Sequence, residues 1–114
     1  MKRFALCGLC VVALLAGCAP SPGELRERGT SEFQVGRLAQ AKAFFQRVLD
    51  RHPSDAESLY YMGRICQAEG RPDRAHFYYE CCLDSDPRHQ EARRWLAKAE
   101  QDMGPNAKDL RFLP

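Results

Sequence analysis

Apolar residues recur with helical spacing through the middle of the chain. Leu59, Met62, Gly63 and Cys66 stand at i, i+3, i+4 and i+7, the spacing that lines one face of an α-helix. Ala75, Tyr78, Tyr79 and Cys82 repeat the pattern, and Ala92, Trp95, Leu96 and Ala99 continue it. Charged residues fill the positions between, and no run alternates as a strand would. Gly36 and Gly70 mark helix ends, because glycine enters the left-handed conformation of a C-terminal cap without steric cost. Pro53 and Pro87 stop the helices before them. Ser54 and Glu57 are spaced as a capping box for the Leu59 helix. Gly63 and Ala75 are small, which predicts close approach of the two helices that carry them.

The pattern has a period. One interval separates Pro53 from Pro87, and the same interval separates Gly29 from Gly63, Gly36 from Gly70, Ala41 from Ala75, Phe45 from Tyr79, and Leu49 from Leu83. With Met62-Gly63, the turn glycine Gly70, Ala75 and the aromatic pair Tyr78-Tyr79, this period of about 34 residues resembles the tetratricopeptide repeat, a pair of antiparallel helices per unit. The resemblance implies an all-α fold: an antiparallel helix-pair solenoid over 24–103, with two repeats at about 22–55 and 56–89 and a C-terminal capping helix over 90–103. The first repeat departs from the pattern at Arg28 and Glu32, where the family has apolar and aromatic residues. Its first helix is expected to pack loosely or to be covered by a partner. Gly104-Pro105-Asn106 ends the cap helix. The tail, 104–114, carries Leu110, Phe112 and Leu113 and is expected to be mobile. Two repeats and a cap make a short array, which favours a partner, self-association or a covalent staple.

The first 17 residues read as an address. Met1-Lys2-Arg3 is cationic, and Phe4 to Ala16 is an uncharged run of 13 residues, about 20 Å as a helix and too short for a bilayer core. This is the plan of a signal peptide. Leu15-Ala16-Gly17-Cys18 resembles a bacterial lipobox, which implies cleavage before Cys18 and lipid on its thiol and new amino terminus. Two or more acyl chains suffice for stable anchoring. Residues 18–23 would be the tether, stiffened by Pro20 and Pro22 and reaching about 17 Å from Ala19 to Gly23. Ala19 follows the cysteine where inner-membrane retention would have Asp. The resemblance therefore implies an outer-membrane lipoprotein facing the periplasm, with a Gram-positive cell surface as the alternative.

Charge changes the picture once the leader is set aside. The full chain of 114 residues has 17 basic and 15 acidic residues, and loss of Lys2 and Arg3 leaves 15 of each. A neutral chain is not a nucleic-acid binder held by bulk charge. Any electrostatic role must come from local patterning.

Three cysteines remain after processing: Cys66, Cys81 and Cys82. Cys66 and Cys82 lie on facing helix surfaces and are the best-placed pair for a disulfide in an oxidising compartment. The alternative is that all three are buried, unpaired thiols. Cys81 points off that face and would be available for an intermolecular bridge. The set Cys66, His76, Cys81, Cys82 and His89 lacks the ligand spacing of a closed metal site. No Gly-rich phosphate loop, nucleophile–base arrangement or haem motif is present. The sequence thus implies neither an enzyme nor a cofactor.

In the family that the repeat resembles, the first helix of each unit lines a concave groove that takes a peptide or helix from a partner protein. The positions matching that groove are Arg26, Thr30 and Phe33, then Tyr60, Arg64 and Gln67, then Arg94 and Lys98. This is a stripe of cations and aromatics suited to an acidic or carboxylate-bearing segment. Arg94 and Lys98 are similar to the basic pair of carboxylate-clamping repeats, but the clamp asparagines have no match (Thr30 holds one such place). The expected function is that of a membrane-anchored adaptor for an envelope protein. A self-associating spacer is the alternative.

Overall fold

Five α-helices make up most of residues 19–105, the part of the chain described by the structure, a computed structural model. They are α1 (Pro22–Gln34), α2 (Leu38–Arg51), α3 (Ala56–Ala68), α4 (Pro72–Ser85) and α5 (Gln90–Met103). Both α3 and α4 begin and end one repeat period after α1 and α2, and α5 begins one period after α3. The all-α helix-pair solenoid inferred from the sequence is the observed architecture. Residues 1–18, with the expected leader and the expected lipidation site at Cys18, and the tail residues 106–114 lie outside the described residues. No helix among the described residues is long and apolar enough to cross a membrane.

The helix ends follow from local chemistry. Gly36 and Gly70 take φ values of 80° and 77°. Each allows the next residue to reach back: Arg37 N donates to Glu32 O at 2.9 Å, and Arg71 N to Cys66 O at 2.9 Å. This is the Schellman arrangement, which satisfies carbonyls that a helix end leaves open. The predicted capping box at Ser54 and Glu57 is not what starts α3. The N-cap is Asp55, whose Oδ2 accepts from Ser58 N at 3.0 Å. A carboxylate there also meets the positive end of the helix dipole. Ser54 instead offers its carbonyl to the Ser85 hydroxyl. A reciprocal box does form at α1, where Glu24 N donates to Ser21 Oγ at 3.2 Å and Ser21 N to Glu24 Oε2 at 3.1 Å.

Within each pair an aromatic ring replaces a side chain that a glycine lacks. A Cβ on Gly29 would lie 2.9 Å from Phe45 Cζ, and one on Gly63 would lie 2.6 Å from Tyr79 Cδ1. Phe45 and Tyr79 are fully buried, as are Ala41 and Ala75. Tyr78, placed on the same face from the sequence, sits instead at the edge of the core. Tyr61 joins the repeats: its ring stacks on Phe45 with centroids 4.9 Å apart and meets the edge of Phe33 at 5.5 Å. The first helix is sparsely anchored, with only Leu25 and Gly29 of α1 buried. This matches the polar Arg28 and Glu32 in its sequence.

Successive helices pack on one another. Helices α1, α3 and α5 also touch in series, whereas α2 and α4 do not meet. The first helices of the repeats therefore lie on the inside of the curve. Their outward surface is the concave face, and α5 closes the array at the end opposite α1 and α2.

Candidate functional site

The inner helices bring Phe33 of α1, Tyr60 and Arg64 of α3, and Trp95 of α5 to one place. The Arg64 guanidinium carbon lies 3.7 Å from the centroid of the Trp95 ring, 5.3 Å from that of Phe33 and 5.8 Å from that of Tyr60. Arg64 Nη1 also donates to the Tyr60 hydroxyl at 2.7 Å. Planar guanidinium stacks well on aromatic faces and keeps its in-plane donors for other partners. Among the described residues, no carboxylate lies within ion-pairing distance of Arg64. An open cleft of about 460 Å³ begins at this group, lined by Arg64, Glu91, Arg94, Trp95, Lys98 and Gln101.

The other stripe residues fare differently. Arg26 is neutralised: its Nη1 lies 2.6 Å from Asp55 Oδ1 and its Nε 3.9 Å from Glu57 Oε2. Tyr60, expected to face outward, is only 8% exposed, because His89 and Tyr61 close over it at centroid distances of 4.9 and 5.1 Å. Phe33 packs partly into the core. Thr30 lines a separate hollow of about 590 Å³ with Arg26, Gln34 and Glu57. Arg94 meets Glu91 at 3.4 Å in an exposed pair, worth little when both groups are solvated.

Gln67 is an internal tie. The buried Tyr79 hydroxyl donates to Gln67 Oε1 at 2.9 Å, and Gln67 Nε2 donates to Asp102 Oδ2 at 3.0 Å. Lys98 Nζ reaches the other Asp102 oxygen at 3.4 Å. This chain of bonds joins α4, α3 and α5. The bond from Gln67 is the main cause that holds the Asp102 carboxyl below its ordinary range. The predicted stripe thus divides into structural links (Arg26, Tyr60, Gln67) and an accessible cleft (Arg64, Arg94, Lys98), which Trp95 completes. Sequence reading missed Trp95 as a site residue. Its helical phase assigned it to the core, yet it is only half-buried and presents its ring to Arg64.

Cys66, Cys81 and Cys82 are free thiols in the structure, and no bond joins Cys66 to Cys82. Both are buried. Burial pushes the Cys66 thiol up and takes Cys82 up to about 11. His76 and His89 are committed elsewhere. His76 Nε2 lies 3.3 Å from Glu100 Oε1 and 3.7 Å from Glu80 Oε1, and His89 Nδ1 accepts from Ala92 N at 3.0 Å as the cap of α5.

Fold and surface together define a helix-pair repeat protein with a small amphipathic cleft on its concave side. Residues 32–80 match the tetratricopeptide repeat family. The chain is 33% identical over 81 residues to a cellulose synthase operon protein C of Komagataeibacter xylinus, covering 70% of this chain and 6% of that protein. It is 34% identical over 90 residues to the probable biofilm formation methyltransferase WspC of Pseudomonas putida, covering 69% of this chain and 21% of that protein. The match, the period and the helix pairs support tetratricopeptide repeats in this chain. It spans a small part of each of these relatives.

Proposed function

We propose that this chain is a protein-binding adaptor of the bacterial envelope, held by lipid on Cys18 at the outer membrane and facing the periplasm. Its concave cleft takes a partner segment that sets a carboxylate beside an apolar side chain. The carrying observation is Arg64, set over Trp95 at 3.7 Å from the ring centroid, with no carboxylate among the described residues in ion-pairing distance. A ligand carboxylate would pair with the guanidinium edge while the apolar neighbour lies along the indole. Arg94 and Lys98 add cationic character at the rim of the same cleft. The leader and lipobox support the anchor, and the repeat segment shared with the relatives supports a protein-binding face. The reading assigns no catalytic step.

Changing Arg64, Arg94 and Lys98 together to Glu tests this. The triple variant, lipidated and expressed normally, should lose its partner while staying folded, its Tm lowered only by the few degrees that loss of the Arg64–Trp95 contact costs. Partner binding that survives the change removes the cleft as the site. A self-associating spacer is the second reading, favoured by Phe77, which is 60% exposed on the outer helix α4. Sedimentation of purified protein separates the two: a mass that grows with concentration supports the spacer.

A further inference from the structure

We infer that the lower end of α2 is the surface that meets the bilayer, with Arg47 and Arg51 contacting anionic phospholipid headgroups of the leaflet that holds the lipid anchor. The inference rests on the anchoring of Cys18 proposed above. Ala19, the residue after Cys18, and Pro20 lie against α2 and line an open hollow of about 330 Å³ with Leu25, Arg47, Asp50 and Arg51. The chain therefore leaves the anchor directly beside these two arginines.

Three observations point to an external anion there. Arg47 and Arg51 are one helical turn apart and both exposed, an arrangement that costs a helix some stability through like-charge repulsion. Neither makes an ion pair among the described residues, and the nearby Asp50 is occupied by Gln46, whose Nε2 donates to Asp50 Oδ1 at 3.0 Å. Arg51 gains from the carbonyl end of α2, but Arg47, one turn earlier, does not. Finally, the pair is absent from the second repeat, where the equivalent positions, one period on, are Cys81 and Ser85. The basic pair belongs only to the repeat that carries the tether. On a processed chain without net charge this local pair would orient rather than merely attract. Contact through α2 places the bilayer at the α1–α2 end of the array and leaves the cleft on α3 and α5 free for a partner.

The test uses mature lipoprotein in vesicles of phosphatidylglycerol with phosphatidylethanolamine, doped with a phospholipid that bears a photoreactive headgroup. Flotation and the acyl mass of the N-terminal peptide report the anchor, and mapped adducts report the contact. The expected result is flotation, with adducts on the α2 segment around 47–52 and none around 94–98. The double variant Arg47→Glu/Arg51→Glu should still float and stay folded, with a slightly lower Tm from the anion at the end of α2 and an adduct yield reduced at least about ten-fold. An acylated, floating protein whose adducts lie elsewhere, or survive the double change, overturns the headgroup contact and leaves the anchor standing. Absence of acyl mass and of flotation overturns the anchor, and the contact with it.

Discussion

The guanidinium of Arg64 lies over the indole of Trp95, its carbon 3.7 Å from the ring centroid. The two residues sit on different helices, α3 and α5, and their contact is both a weld and a surface. It helps to hold the cap helix on the second repeat. It also fixes a guanidinium whose remaining donors face a cleft. A stacked, pre-oriented cation loses little freedom when a carboxylate arrives, which favours binding.

The weld should be measurable without any partner. A double-mutant cycle of Arg64→Met and Trp95→Leu, followed by urea unfolding, should give a coupling of about 1 kcal/mol, the size expected of a half-buried cation–aromatic contact. Strict additivity would show that the contact contributes nothing to the docking of α5.

Close helix approach within a repeat depends on glycine. Gly63→Ala introduces a Cβ into the space of the Tyr79 ring, 2.6 Å from Cδ1. The buried ring is fixed by its bond to Gln67 and has no easy way to shift. The expected loss is about 1–2 kcal/mol after the helix-propensity gain, or about 4–16 °C in Tm. Gly29→Ala meets Phe45 Cζ at 2.9 Å and should cost less. Thermal melts of the two variants check the order.

Asp55 holds the start of α3 and also pairs with Arg26. Asp55→Ala should cost about 1–2 kcal/mol, and it also leaves Arg26 without its nearest partner. Ser54→Ala should be close to neutral, because only the Ser54 carbonyl is used. Equal losses at the two positions would restore Ser54 as the cap.

Cys82 gives the domain a pH dependence on the alkaline side. Burial, chiefly, moves its thiol from the ordinary 9.0 up to about 11. Between these values the unfolded chain gives up the thiol proton while the native chain keeps it. The native state then binds more protons, so stability falls as pH rises through this window and is unaffected by this group below it. Urea midpoints across the window should fall, and Cys82→Ala should flatten the fall. The same burial should make Cys66 and Cys82 slow to alkylate in the native protein, with Cys81 faster, as read by mass spectrometry.

The helices and their boundaries were legible because period, turn glycines and prolines act locally. Gly36, Gly70, Pro53 and Pro87 each fix a helix end through their own backbone. The close approach of the two helices was legible in the small residues Gly63 and Ala75, but not that the Tyr79 ring fills the space beside Gly63. The cap of α3 was less so, since Ser54 and Asp55 are adjacent acceptors and only the approach of Arg26 and Ser85 from other elements separates them. The site was legible as a stripe and illegible in its detail. Whether a polar side chain on an inner helix is free depends on residues 29 to 35 positions away, as Arg26 with Asp55 and Gln67 with Asp102 show. Trp95 was hidden because helical phase assigns a residue to the core without saying how much of its ring stays uncovered.

The central claim is that the cleft at Arg64 and Trp95 is the surface that holds a partner. The most direct measurement is in-cell photo-crosslinking from position Lys98, with Arg74 on the outer helix as the control, in the parent and in Arg64→Glu. The account predicts one dominant protein adduct from position 98, mapped to a segment that contains Asp, Glu or a chain terminus. That adduct should disappear in Arg64→Glu, and position 74 should give none. An adduct from position 74 alone, or one at position 98 that persists in Arg64→Glu, would contradict it.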